Sequence, residues 1–150
     1  MPAIKILPVQ PIVSADLPKL IVSEKASLTI VNLWATFCGP CVEEFPEFVK
    51  FYRDHQKNNL KLIFISADFK SDLPLVEKFL TEQGVEFQTF IKNEKDDAFI
   101  NGVHKKWNGA LPATLFYNSK GALVHFAFQP LNYSEIEKIS KPYLKEETAL

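Results

Sequence analysis

The sequence predicts an α/β fold with a mixed central sheet and helices on both faces. Two features carry this. Apolar, strand-like runs alternate with amphipathic helical stretches through most of the chain, an order that builds parallel strands. The final strands are separated only by a short turn, which makes an antiparallel hairpin, and a helix closes the chain. The length of 150 residues fits one domain, 1–150, with an irregular segment over 1–26 and a core over 27–143.

The N-terminal 26 residues are proline-rich, with room for short extended pieces at 4–7 and 20–22. Residues 27–35 (SLTIVNLWA) are β-branched and apolar and read as a buried central strand. A helix follows over 40–56, because Val42, Phe45, Phe48, Val49 and Tyr52 recur at spacings of three and four. Pro46 lies inside it and is expected to bend it. Residues 60–67 (LKLIFISA) form a second strand. Ser71 or Asp72 caps the next helix, which has Pro74 in its first turn and is closed by Gly84. A third strand is expected over 87–91, a short helix over 96–106 and a fourth strand over 113–117. The turn 118–121 leads to a fifth strand over 122–128, and Ser134 is expected to cap a last helix reaching 143.

Composition removes several functions. Hydrophobic residues at 47% and charged residues at 23% are ordinary globular values and argue against disorder. Seventeen basic residues against eighteen acidic ones leave a net charge of −1, so nucleic acid and anionic membranes lose their main attraction. No apolar run approaches the roughly 20 residues that span a bilayer. The start of the chain lacks a signal-like apolar run, since Pro8, Pro11 and Pro18 interrupt it. The expected location is cytoplasmic if Met1 is native, and periplasmic or otherwise extracytoplasmic if a leader was trimmed.

The two cysteines, Cys38 and Cys41, are three positions apart between a strand and the start of a helix. There, unpaired N–H groups and the positive end of the helix dipole favour a thiolate. Gly39 leaves the approach to the sulfur open, and Pro40 suits the first helical turn. Cys41, one turn further in, is expected to be more buried. The layout suits a two-step exchange: Cys38 attacks a substrate disulfide, and Cys41 resolves the mixed disulfide. Half a zinc site is the weaker alternative, because zinc wants four ligands and His55, His104 and His125 have no finger-like spacing to the cysteines. An inert structural disulfide would close almost no loop.

The run Asn32-Leu33-Trp34-Ala35-Thr36-Phe37-Cys38-Gly39-Pro40-Cys41, followed by Glu43-Glu44-Phe45-Pro46, resembles the thioredoxin superfamily, and within it the TlpA/ResA-like branch. The resemblance implies a thioredoxin-like three-layer fold. It also implies a cis-proline facing the cysteines, which Leu111-Pro112-Ala113-Thr114 is placed to supply, with an extra strand and helix inserted before it. By the same resemblance Glu44, one turn after Cys41, takes a proton from that thiol. Asn32 stands where ordinary thioredoxins carry a buried acid and cannot act as a base. Leu111 would offer its backbone to an extended substrate, and Pro112 would keep metal off the cysteines. Trp34 and Phe37 are expected to shape the rim around Cys38. Trp107 either lines the substrate groove or packs against the sheet.

The function this implies is a thiol–disulfide oxidoreductase, in the reducing direction because Gly-Pro between the cysteines is the thioredoxin dipeptide. It would need no cofactor beyond the Cys38–Cys41 disulfide and no metal. Its partners would be a disulfide-bearing protein substrate and an upstream dithiol electron donor, with no nucleic acid, and the chain is expected to be a monomer. Two alternatives use the same fold. A thiol peroxidase would carry Thr three residues before its reactive Cys, where this chain has Ala35. A non-catalytic binding module would have no need of the two cysteines and Pro112.

Overall fold

The computed structural model describes residues 5–23 and 25–145. The strand β2 (Leu28–Trp34) is buried at every position and sits in the middle of one six-stranded sheet. It pairs in parallel with β3 (Leu60–Ser66) and antiparallel with β5 (Ala113–Asn118). β1 (Gln10–Ile12) and β4 (Phe90–Lys92) extend the sheet beyond β3, and β6 (Leu123–Ala127) extends it beyond β5, giving the order β1-β4-β3-β2-β5-β6. The β5–β6 pair is the expected hairpin, turned at Gly121 with φ +79°.

Strand alternation divides the core in two. Leu28, Ile30 and Trp34 of β2, Leu62 and Phe64 of β3, and Phe116 of β5 face one side. That side is covered by α2 (Gly39–His55), α3 (Leu73–Gln83) and α5 (Tyr133–Ser140), which contribute Phe45, Phe48, Val76, Leu80 and Ile136. Val31, Leu33, Ile63, Ile65 and Leu115 face the other side, under α1 (Leu17–Val22) and α4 (Asp96–Val103), which contribute Leu17, Ile21 and Phe99. The three layers match the expectation. Phe45 carries much of the first layer: it is fully buried, stacks on Phe64 at 4.0 Å and meets Trp34 edge-on at 4.9 Å. Truncating such a ring to alanine costs about 3–5 kcal/mol.

The structure corrects the N-terminal reading. Leu20–Val22 is the end of a helix and not an extended piece, because Leu17 and Ile21, four apart, turn one face to the sheet while Pro18 occupies the first turn. The first strand is at 10–12, where parallel pairing with β4 satisfies the backbone. Pro11 is tolerated there because β1 is an edge. Of the piece expected at 4–7, residue 4 lies outside the described residues. The sheet therefore has six strands where the sequence indicates five between 27 and 128. α4 ends at Val103, with His104 already extended. α5 is capped by Asn132 and not Ser134: Asn132 Oδ1 accepts from the Glu135 N–H at 2.9 Å, and Glu135 Oε1 accepts from the Asn132 N–H at 3.0 Å.

Candidate functional site

β2 delivers the chain to the C-terminal edge of the parallel strands, and α2 starts there at once. Cys38 is the N-cap of α2, in extended conformation, and its Sγ accepts from the Cys41 N–H at 3.3 Å. Cys38 and Cys41 are joined as a disulfide, with Cα atoms 5.2 Å apart. Cys38 is half-buried, whereas Cys41 is fully buried against the first core layer. The attacking and resolving positions expected from the sequence thus differ in access. Gly39 and Pro40 are exposed, and a Cβ at Gly39 would meet nothing within 4 Å, so the approach to the sulfur is open there.

The Leu111–Pro112 peptide bond is cis. The antiparallel register pairs Leu33 with Ala113, so Pro112, immediately before β5, lies next to the point where β2 runs out toward the cysteines. Pro112 is buried and Leu111 half-buried.

Glu44 is buried, 4% exposed, one turn after Cys41. Its Oε1 accepts from the Leu131 N–H at 3.0 Å and its Oε2 from Asn32 Nδ2 at 2.9 Å. Burial pushes the Glu44 carboxyl up from the ordinary 4.5 to about 7, and the Leu131 and Asn32 bonds offset only part of that rise. Asn32 also donates to Thr114 Oγ1 at 3.1 Å, so one chain of hydrogen bonds joins β5, β2, α2 and the loop before α5. A cleft of about 250 Å³, lined by Pro40, Glu43, Glu44, Leu131 and Glu135 among others, opens beside this carboxyl. Glu44 can therefore exchange protons near neutral pH despite its burial.

Trp34 and Phe37 separate. Phe37 is 69% exposed next to Cys38, where a rim residue should be. Trp34 is only 1% exposed, wedged between Phe45 and Phe79, and does not reach the rim. The reason is parity: Trp34 shares the face of Leu28 and Ile30, which α2 and α3 cover. Trp107 is likewise buried, at 4%, and packs on Phe99.

Sequence reading missed Asp68. It is buried at the end of the β3 run and accepts from the backbone N–H and the hydroxyl of Thr36 and from the Ser66 hydroxyl at 2.6 Å. Ala67 N–H also donates to Trp34 O at 2.7 Å. These bonds tie the Cys38 loop to the β3–α3 loop, which carries Phe69, 65% exposed. The only local signal was an acid directly after a buried strand. Among the described residues no group of three or more His, Cys, Asp or Glu could hold a metal ion.

Solved structures share this architecture. A thioredoxin-family thiol:disulfide interchange protein from Chlorobium tepidum TLS superposes with a TM-score of 0.68 at 21% identity, over 81% of this chain and 82% of that one. A thioredoxin-related protein from Neisseria meningitidis serogroup B gives 0.62 at 25% identity, over 79% and 85%. Among curated proteins, sporulation thiol-disulfide oxidoreductase A of Bacillus subtilis is 21% identical over 78% of this chain and 68% of its own length. Thiol-disulfide oxidoreductase ResA of Halalkalibacterium halodurans is 28% identical over 63% of this chain and 49% of its own length. The chain thus spans about half to two thirds of these relatives. The sheet and the cysteine-bearing helix described above fall largely within residues 13–126, the stretch that matches the AhpC/TSA family, and the chain belongs to that family.

Proposed function

We propose that this protein is a thiol–disulfide oxidoreductase that reduces disulfides in other proteins. The observation that carries the reading is the Cys38–Cys41 disulfide at the start of α2, with one sulfur accessible and the other buried. The names of the curated relatives point the same way.

The reaction starts from the dithiol. The Cys38 thiolate, favoured by the N-terminal amides of α2, attacks one sulfur of the substrate disulfide. A Cys38–substrate disulfide forms, the substrate bond breaks, and the released substrate thiolate takes a proton. Cys41 then loses its proton to Glu44 and attacks Cys38 Sγ. The internal disulfide closes and the second substrate thiol leaves. Two electrons pass to the substrate, and an upstream dithiol donor returns two to the Cys38–Cys41 bond. A base with a pKa of about 7 is well matched to the Cys41 step at neutral pH. Leu111 receives the backbone of an extended substrate segment, as in strand addition. Phe37, Gly39 and Pro40 form the surrounding surface, and Pro112, itself buried, holds the cis bond after Leu111. A solved relative described as a secreted thiol-disulfide isomerase supports an extracytoplasmic place of work.

A peroxidase is less well supported. Position 35 is Ala, and the nearby Thr36 hydroxyl is engaged by Asp68.

Two measurements test the reading. Cys41→Ser is expected to accumulate mixed disulfides through Cys38 with a disulfide-bearing protein, and Cys38→Ser to form none; failure of Cys41→Ser to trap any would remove the assignment. The reduction potential of the pair is expected below about −250 mV, and a value near −120 to −180 mV would reverse the direction to oxidant or isomerase.

A further inference from the structure

The hydrogen bonds around Glu44 suit a carboxylate and leave no place for a proton. Oε1 faces the Leu131 N–H and Oε2 faces Asn32 Nδ2, and both partners are donors. A neutral carboxylic acid carries an O–H that needs an acceptor, and a buried O–H left without one is costly. The Leu131 N–H can only donate, so Oε1 stays an accepting oxygen in either state. Oε2 is the oxygen whose partner must change when the proton arrives.

Asn32 is built for that change. Its Nδ2 donates twice, to Glu44 Oε2 at 2.9 Å and to Thr114 Oγ1 at 3.1 Å. Its Oδ1 is buried and accepts from no described residue. Half a turn about Cβ–Cγ exchanges the two ends of the amide, which are nearly the same size. Oδ1 then stands where Nδ2 stood, and its two lone pairs match two donors, the Glu44 O–H and the Thr114 hydroxyl. Thr114 fits both arrangements because a hydroxyl accepts in one and donates in the other. Nothing described holds the far end of the amide as it stands, so the charge on Glu44 decides which end faces it. The bond to the ionised form is the stronger of the two, so Asn32 on balance still favours the carboxylate. Other acids face the same carboxyl: Glu43 and Glu47 of α2 and Glu135 of α5 line the cleft beside it. β2 and β5 present Asn32 and Thr114, which do not titrate.

We propose that Asn32 is a two-way positioning residue: its amide donates to the ionised Glu44 and turns over to accept from the protonated one, with Thr114 reversing in step. The base that takes the Cys41 proton is thereby held in one place before and after the transfer. That use rests on the oxidoreductase reading above, whereas the turn itself belongs to the oxidised chain, and the experiment keeps the two apart. Oxidised protein labelled with 13C and 15N is studied by NMR at pH 5.5 and 8.5, on either side of the Glu44 titration at about 7. Nuclear Overhauser contacts are read from the Asn32 Nδ2 protons to Thr114 Hβ and Glu44 Hγ. They are expected to be strong at pH 8.5 and severalfold weaker at pH 5.5, the change following the Glu44 carboxyl carbon shift. Glu44→Gln, which cannot ionise, is expected to show one pattern at both pH values. Wild-type contacts of equal strength at both pH values overturn the inference, because the neutral acid then finds its acceptor elsewhere, such as a water in the cleft. A pH-dependent pattern that persists in Glu44→Gln overturns it as well, since Glu43, Glu47 or Glu135 then drives the change. Neither result touches the oxidoreductase reading, which insulin reduction by wild type tests separately. Wild type that leaves insulin oxidised overturns that reading and the catalytic use of the turn with it.

Discussion

Asn32 of β2 and Glu44 of α2 are joined by a 2.9 Å hydrogen bond inside the core, and the same Asn32 amide reaches Thr114 on β5. Thr114 lies two residues after Pro112, and Glu44 one turn after Cys41. The carboxylate is thus held by β2 and, through Asn32, linked to the strand that follows the cis-proline. Asparagine donates to the buried carboxylate and stays neutral at every pH, where an ionised acid in its place would add a second negative charge. The Leu131 N–H supplies the other donor, so a proton arriving at Glu44 meets a carboxylate already oriented.

Replacing Glu44 with Gln should change how stability depends on pH. The folded carboxyl titrates at about 7 against 4.5 when unfolded. Below pH 4.5 both states are protonated and there is no penalty. As pH rises from 4.5 to 7 the unfolded state ionises first, so folding loses about 1.4 kcal/mol per pH unit from this group, roughly 3 kcal/mol in all. Urea unfolding of the oxidised protein at pH 4.5, 5.5, 6.5 and 7.5 should show wild type losing stability relative to Glu44→Gln over that window. A constant difference between the two curves would mean that Glu44 ionises normally.

Asn32→Leu should move the Glu44 titration upward. Asn32 donates to the ionised carboxylate and lowers its pKa, so removing that donor leaves burial less opposed. A hydrogen bond to a charged group is worth about 1.5–3 kcal/mol, or about one pH unit or more. The Glu44 carboxyl carbon shift followed by NMR against pH reads this directly. An unchanged midpoint would show that the 2.9 Å contact has no electrostatic weight.

Local patterns made some parts of this molecule legible and left others silent. β2, β3 and α2 could be read because each has enough apolar residues to define a period. Residues 20–22 could not, since three apolar residues fit a strand or a helix equally, and only burial of Leu17 and Ile21 decides. β1 exists because β4 is there to pair with it. The cysteines were legible because their chemistry depends on a spacing of three. Trp34 misled because adjacency to Phe37 in sequence says nothing about which face of a buried strand it takes. The Leu131 amide could not be found at all, because 87 residues separate it from Glu44 and every residue but proline carries the same group. Asp68 was hidden for a similar reason, its partner Thr36 lying 32 residues upstream.

Asp68→Asn should loosen the loop that carries Cys38. The carboxylate accepts from the Thr36 N–H, the Thr36 hydroxyl and the Ser66 hydroxyl. An amide turns one of its two acceptor atoms into a donor facing buried donors, which costs about 1–3 kcal/mol. The loss should appear in urea unfolding and as faster hydrogen exchange at the Thr36 amide. A cost below about 0.5 kcal/mol with unchanged exchange would show that the Trp34–Ala67 backbone bond holds the two loops alone.

Phe37→Ala should slow the reaction with protein substrates and leave the fold alone. The ring is 69% exposed and adds almost nothing to the core, so stability should stay within about 0.5 kcal/mol of wild type. An exposed aromatic beside a reactive sulfur is instead placed to be covered when a protein docks, and such anchors are commonly worth more than 1 kcal/mol, about fivefold or more in KM. Phe69, on the loop that Asp68 ties to this one, should act in the same direction when truncated. The measurement is insulin reduction beside urea unfolding for each variant. Unchanged insulin kinetics would place the docking surface elsewhere around Cys38, and a large loss of stability would mean that Phe37 packs against the domain in solution.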